Sequence, residues 1–536
     1  MKRGTLVFTI VMLFSFGALA DEGQHHEDLT TDQLGTVHFP VSCAETVQKP
    51  FERGVALLHS FWYEEAQKEF EQIAKDDPRC AMAHWGISMS IWHQLWNRPD
   101  AGTIKRGQSE VKNAKSLRLK TDRERAYIAA IDAFYHGKKR EYQDRADAYS
   151  KAMETAYQRY ADDREATAFY ALSLLASEPD NDTTFANRKQ AAAILEKLFA
   201  VEPDHPGVAH YLIHSYDKPQ LAELGLPAAR RYAKIAPSAP HALHMPSHIF
   251  ARLGLWQDDI DSNLASITAT RKTEAMHMGG GGHQFHAIDF LVYAYLQSGR
   301  EADAQREIDE VKAMPAKKDN MYGMNFDPRT DALVNFSARY ALEMHHWADA
   351  ASLELVPGAE TGDNGITYGA RAIGKARTGN VADARKDVAE IVTIHDTLLR
   401  EKKKGFAEAV EQDRQEAAAW VAHAEGKHDE AAKALRAVAE KEEAEGDEPL
   451  AIPAREMLAD MMLEMNRPEE ALAEYEADLK FNPNRFNGLY GAARAAEMAG
   501  KTQKSNTYYA QLVKVCDGSN SDRPELTHAR ALLAQK

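Results

Sequence analysis

Two stretches near the C-terminus, MLEMNRPEEALAEYEADLKFNPN and EMAGKTQKSNTYYAQL, share one spacing of turn, small and aromatic residues. Asn466, Ala471 and Tyr475 in the first correspond to Gly500, Ser505 and Tyr509 in the second, each 34 residues on. A turn residue followed five positions later by a small side chain describes two helices that must approach closely. A unit of this length cannot bury its apolar face alone, so such a chain has to stack its units into an array. Looser copies turn at Gly299, Gly379 and Gly426, and another begins at FWYEEAQKEFEQIAKDDP with Ala66, Phe70 and Pro78 at the matching intervals. Between the turns run segments rich in Ala, Leu, Glu, Lys and Arg, with almost no strand-like alternation. The fold class expected is all-α.

A 34-residue helix-turn-helix period with small residues at the packing position resembles the tetratricopeptide repeat. The resemblance covers most of residues 50 to 516, with turn spacings that drift between 34 and 47. It implies an α-solenoid of antiparallel helix pairs whose first helices line a concave face. The organisation expected is a leader over 1–20, an extension over 21–49, N-terminal repeats over 50–204, His-rich central repeats over 205–315, C-terminal repeats over 316–516 and a capping helix within 517–536.

The first residues, MKRGTLVFTIVMLFSFGALADE, place Lys2 and Arg3 before a short apolar run and Ala18-Leu19-Ala20. This pattern predicts a cleaved secretory signal and a mature chain that begins near Asp21, periplasmic or secreted. The apolar run is too short to span a membrane. Losing Lys2 and Arg3 takes the formal charge from −16 to −18. No Lys/Arg-rich block follows, which argues against nucleic acid and anionic membranes as partners. Of three cysteines, an oxidising compartment permits one disulfide, Cys43 with Cys80, leaving Cys516 free; alternatively all three are small buried hydrophobes. No CxxC is present, so no thiolate zinc site or dithiol redox motif is expected.

The chemistry concentrates in the histidines. Of 22 in the chain, nine lie between residues 205 and 286: His205, His210, His214, His241, His244, His248, His277, His283 and His286. His210 and His214 are four apart, as are His244 and His248, and the second pair stands 34 residues after the first. Residues four apart share a helix face, and packed helix axes lie about 8 to 10 Å apart. Two such pairs on neighbouring first helices are therefore expected to close around one ion. His283, His286 and Asp289 form a further stripe, and His241 stands as far before Gly254 as His286 does before Gly299. Asp217 extends the His210 stripe, either as a ligand or as the acceptor that fixes an imidazole tautomer. The array suits a transition metal, copper, zinc or iron; nearby Met245, Met276 and Met278 would favour copper(I) or simply pack. Pro246 demands either a kink or a helix start. The turn expected at Gly225 implies about five extra residues, DKPQL, in the first of these repeats.

Other features are weaker. MGGGGH lacks a GxxxxGK context and reads as a flexible inter-repeat loop or a hinge over the groove. His84 and His93 are reserve ligands in a segment that otherwise reads as core, and Asp258, Asp259 and Asp261 read as a solvated helix start. There is no HExxH zinc motif and no GxSxG nucleophile elbow. The combination of FERGVALLHSFWYEEAQKEFEQIAKDDPRCAMAHWGISMS, HPGVAHYLIHSYD and HALHMPSHIFARLGLW resembles a group of exported bacterial tetratricopeptide-repeat proteins, which implies fold and compartment but no particular chemistry. Two functions are consistent with these observations. One is a scaffold whose concave groove binds a protein, peptide or small ligand; the other is a metalloprotein, or metal-dependent enzyme, built on His210, His214, His241, His244 and His248 with His283, His286 and Asp289 nearby.

Overall fold

The computed structural model describes residues 33–534, apart from 96–97, 119, 138–139, 180–181, 319–326 and 447–449. The expected leader lies outside the described residues. Among the described residues every regular element is helical, in successive antiparallel pairs, an all-α solenoid.

The repeat is built on one turn. At Gly254, Gly299, Gly379, Gly426, Asn466 and Gly500 the backbone is left-handed, with φ between 56° and 85°. The next residue's N–H reaches back five positions: Leu255 to Phe250, Arg300 to Tyr295, Asn380 to Lys375, Lys427 to Ala422, Arg467 to Met462 and Lys501 to Ala496, all at 2.8 to 3.0 Å. This is the Schellman closure, which satisfies carbonyls left open at a helix end and favours Gly or Asn at its left-handed position. Four residues after the small packing position, an aromatic side chain fills the space between helices. A Cβ on Gly491 would come within 2.2 Å of the Tyr475 ring, and one on Gly86 within 2.3 Å of Phe70.

The solenoid coils back on itself. Trp256 Nε1 donates to the Asn484 carbonyl at 2.8 Å, and Lys218 Nζ donates to the Glu445 carbonyl at 2.7 Å. Arg485, fully buried, bonds the Tyr293 hydroxyl and pairs with Glu343 and Glu456 at 2.9 and 2.8 Å. At the other end, Thr36 N–H donates to Asp204 O, and Trp62 Nε1 donates to Gly279 O at 2.9 Å. First and last repeats thus both brace the central ones. Cys43 and Cys80 form a disulfide with Cα atoms 4.8 Å apart, and Cys516 is free and buried. The expected cap is the helix Pro524–Ala534.

Several expectations are corrected. Gly225 is not a turn: it lies inside the helix Ala222–Ile235, where a Cβ would meet Ile249 at 2.7 Å. The glycine loop at 279–282 is tethered, since Gly279 N–H donates to Glu65 Oε1 at 2.6 Å beside the Trp62 contact. Asp259 is not solvated; it is 0% exposed.

Candidate metal centre

The central helices bring six imidazoles together in two groups of three. His210 and His214 come from the helix Pro206–Tyr216, where residues one turn apart share a face. Pro246 breaks the next first helix into Pro240–His244 and Pro246–Arg252. Met245, at the break, keeps helical angles (φ −50°, ψ −35°), and the ladder resumes with His248 N–H donating to Met245 O at 3.2 Å. Of the two possibilities for Pro246, the kink is the one realised. His241 joins His210 and His214; His244 and His248 join His286, from the helix His283–Gln297.

Distances within the groups are short. His210 Nε2 lies 3.1 Å from His214 Nε2 and 3.2 Å from His241 Nε2, and His244 Nε2 lies 3.1 Å from His248 Nε2. The rings of His244 and His286 are 4.4 Å apart between centroids, those of His248 and His286 5.5 Å. In each group one ligand atom per residue falls within 4.8 Å of the others. Two nitrogens each about 2.0 to 2.1 Å from one ion, at angles from square to tetrahedral, stand about 2.9 to 3.4 Å apart. The observed contacts sit in that range.

What surrounds the rings fixes which nitrogen faces inward. His210 Nδ1–H donates to the His59 carbonyl at 2.6 Å, and His248 Nδ1–H donates to Asp217 Oδ2 at 2.9 Å. His244 Nδ1–H donates to Asn263 Oδ1 at 2.7 Å. The Asn263 amide is itself oriented, because its Nδ2 donates to the Asp259 carbonyl at 3.0 Å and to Asp259 Oδ1 at 2.7 Å. An imidazole whose Nδ1 carries the proton presents a bare lone pair at Nε2, the form that binds metals. Burial, reinforced by neighbouring imidazoles, pushes the pKa of His214, His241 and His244 well below the usual histidine range. Burial likewise pushes His210 and His286 down to about 3. These rings are neutral at neutral pH.

The third histidine cluster behaves differently. His59 Nε2–H and His205 Nε2–H both donate to Glu165, at 2.8 and 3.0 Å. His59 Nδ1 accepts from the Tyr211 hydroxyl at 2.8 Å, and His205 Nδ1 accepts from Val208 N–H at 3.3 Å. One tautomer assignment therefore satisfies every ring nitrogen, with no lone pair left facing another. Burial works to raise the Glu165 pKa, but its bonds to His205 and His59 win and hold it below the usual carboxylate range. This network braces His59, whose carbonyl in turn orients His210.

The grouping differs from the sequence expectation. His210, His214, His244 and His248 do not close around one point; each pair takes a third ring from the following helix, His241 or His286. Asp289 belongs to neither group, because it pairs with Arg339. His283 is buried at the margin, its ring 5.5 Å from that of His241, and burial pushes its pKa down to about 4. Asp217 serves the second pair rather than its own stripe, and also accepts from Arg252 Nε at 3.0 Å. His84 bonds Glu110 at 2.7 Å and His93 stacks on Tyr63, so neither reserve ligand reaches the groups. Met245 and Met278 lie in the apolar core, and Met276 packs against it.

Three contributors were not singled out from sequence: the His59 carbonyl, Asn263, and Phe61, whose ring stacks on His214 and His241 and meets His210 edge-on at 4.3 Å. Phe290 walls the second group, 4.9 and 4.6 Å from His244 and His248. Only His214 and His286 among the six are partly exposed. The centre is therefore closed on most sides by aromatic rings.

No family model matches the chain, and no curated protein matches it. Among solved structures it aligns with the crystal structure of the P58(IPK) TPR domain, at 13% identity and a TM-score of 0.21, covering 86% of this chain and 99% of that one. It also aligns with the human IFIT1 dimer with m7Gppp-AAAA, at 12% identity and a TM-score of 0.34, covering 89% and 96%. These superpositions are loose, and the fold rests on the chain's own helix pairs and Schellman turns: it is a tetratricopeptide-like α-solenoid.

Proposed function

We propose that the chain is an exported, metal-holding solenoid whose central repeats bind first-row transition ions through His210, His214, His241, His244, His248 and His286. One observation carries the reading. His244 and His248 each commit Nδ1–H to an oxygen acceptor, and their Nε2 lone pairs then face each other at 3.1 Å. Two buried lone pairs at that distance repel unless a cation lies between them. A proton carried by His244 is the weaker candidate, because burial holds that ring in its neutral form. The leader-like N-terminus and the Cys43–Cys80 disulfide support an oxidising, exported setting.

The test is elemental analysis of untagged protein recovered from its native compartment, beside His248→Ala. Retained copper, zinc or iron in the wild type, its loss in the variant, and a lower melting temperature after chelation are the expected results, since an ion bound only by the folded state stabilises it. Protein that takes up none of these ions and melts unchanged in their presence would refute the reading. A scaffold function, with the concave groove holding a protein or peptide, would then stand in its place.

A further inference from the structure

We infer that the two histidine triads form one dinuclear copper centre, an inference that rests on the metal-binding reading above. The triads are copies of one pattern set a repeat apart. In each, a pair of histidines four apart on one first helix is completed by a single histidine from the next: His210 and His214 with His241, then His244 and His248 with His286. His210 and His244 are 34 residues apart, as are His214 and His248. The copies also interlock, because His241 and His244 lie on the same short helix Pro240–His244 and serve different triads. Rings of the two triads stand 6.0 Å apart at His241 and His244, and 6.4 Å apart at His214 and His248. Ions on the inward nitrogens would be near neighbours with no side chain required to link them.

The donor set selects the metal. Both triads consist of imidazoles, without a carboxylate or thiolate. Asp217, the acid that touches a ligand, is already matched by Arg252. A pair of divalent ions would bring four positive charges into a buried, aromatic-walled space with no anionic ligand, at a large desolvation cost. Monovalent copper halves that charge and is well suited to imidazole, while carboxylate-poor sites suit magnesium, calcium and manganese badly. Each ion would have three protein ligands and a position left open; of copper, zinc and iron, copper alone can occupy the centre as a monovalent ion without an anion, and in the cupric form it would take a small anion such as hydroxide there. His214 and His286, one partly exposed member per triad, give each ion a side that faces out.

The experiment loads untagged full-length protein with copper(II) sulfate alone, removes excess by gel filtration in glycine, and measures copper per chain and the integrated electron paramagnetic resonance intensity. Every sample carries His428→Ala, because His423 and His428 form an exposed pair 3.1 Å apart that would hold surface copper. Two coppers per chain are expected, with a spectrum broadened or diminished by spin–spin interaction. His214→Ala and His286→Ala should each drop the content from two to one and restore the sharp, full-intensity signal of an isolated ion. His214→Gln and His286→Gln repeat the comparison should either alanine variant unfold. No retained copper would overturn the copper centre, and would sink the metal reading itself only if zinc and iron(II), offered in the same way, are not retained either. One copper in the wild type, or two with independent full-intensity signals, would leave that reading standing and overturn the dinuclear centre.

Discussion

Asn263 offers the sharpest test of how the second triad is held. It is fully buried on the helix Trp256–Ala275, and its amide makes three bonds, accepting from His244 Nδ1–H and donating twice to Asp259. Asn263→Ala removes all three and leaves the His244 N–H only the longer contact to the buried Ser247 hydroxyl, at 3.3 Å. Each buried polar group left unsatisfied costs about 1 to 3 kcal/mol, so with His244 and Asp259 both affected the loss of stability should be about 2 to 5 kcal/mol. The acceptor also fixes the tautomer that points Nε2 inward, and losing such a partner typically weakens metal binding about 10- to 100-fold. The assay is a melting curve without metal and a competition against a chelator with it. A destabilised variant that binds copper as tightly as the wild type would refute the claim that Asn263 orients His244. An unaltered melting temperature would refute the claim that the network is sealed from water.

Three other perturbations follow from the same structure. Gly207→Ala places a Cβ 2.4 Å from His59 Nδ1 and should cost about 1 to 3 kcal/mol by overpacking, read from the melting midpoint, whereas Gly405→Ala, with nothing within 4 Å, should be neutral or slightly stabilising. Reduction of the Cys43–Cys80 bridge, which spans 37 residues, should lower stability by about 3 to 4 kcal/mol from loop entropy; an equal midpoint with and without reductant would contradict this. Burial pushes the Asp413 pKa up to about 7, so the native state keeps a proton that the unfolded chain releases near its ordinary value. That contribution to stability is complete at low pH and is lost as pH rises toward and through 7. Asp413→Asn should therefore melt with a smaller decrease between pH 5 and pH 8 than the wild type, and parallel decreases would count against the assignment.

The repeat was legible wherever its turn used the residue that a left-handed backbone prefers. Gly299, Gly379, Gly426, Asn466 and Gly500 all occupy that position. The same turn at Phe61, His345 and Lys402, with φ of 52°, 53° and 61°, carries no such mark, yet Trp62, His346 and Lys403 reach back to Leu57, Ala341 and Leu398 with the same bond at 2.9 to 3.0 Å. Gly225 misleads in the opposite direction, since a glycine needed for close packing looks the same in sequence as one needed for a turn. The histidine pairs were legible because spacing by four and by 34 is a one-dimensional property. Their division into triads was not, because it depends on which way the Pro246 kink turns His241 and His244. Nor could spacing identify a backbone carbonyl at His59 or an amide at Asn263 as the partners that set the tautomers, and it placed Asp289 near ligands when Arg339 holds it elsewhere.

Phe61 joins the fold to the site. A left-handed conformation costs a residue other than glycine about 1 to 2 kcal/mol, and strain of this kind is retained where the surroundings over-determine it. Here the turn projects the ring between His210, His214 and His241, stacked on two of them and edge-on to the third. The preceding helix ends at His59, whose carbonyl holds His210 Nδ1, and Trp62 next to it bonds the glycine loop that leads to His283. A glycine at position 61 would form the turn with less strain and remove the wall. The first repeat thus supplies the orienting acceptor for one triad and its aromatic cover from a single turn, at His59 and Phe61, while contributing none of the six histidines. A site built this way needs the solenoid to coil until residues about 150 positions apart touch, as His59 and His210 do, so the superhelix itself, rather than any one repeat, assembles the centre.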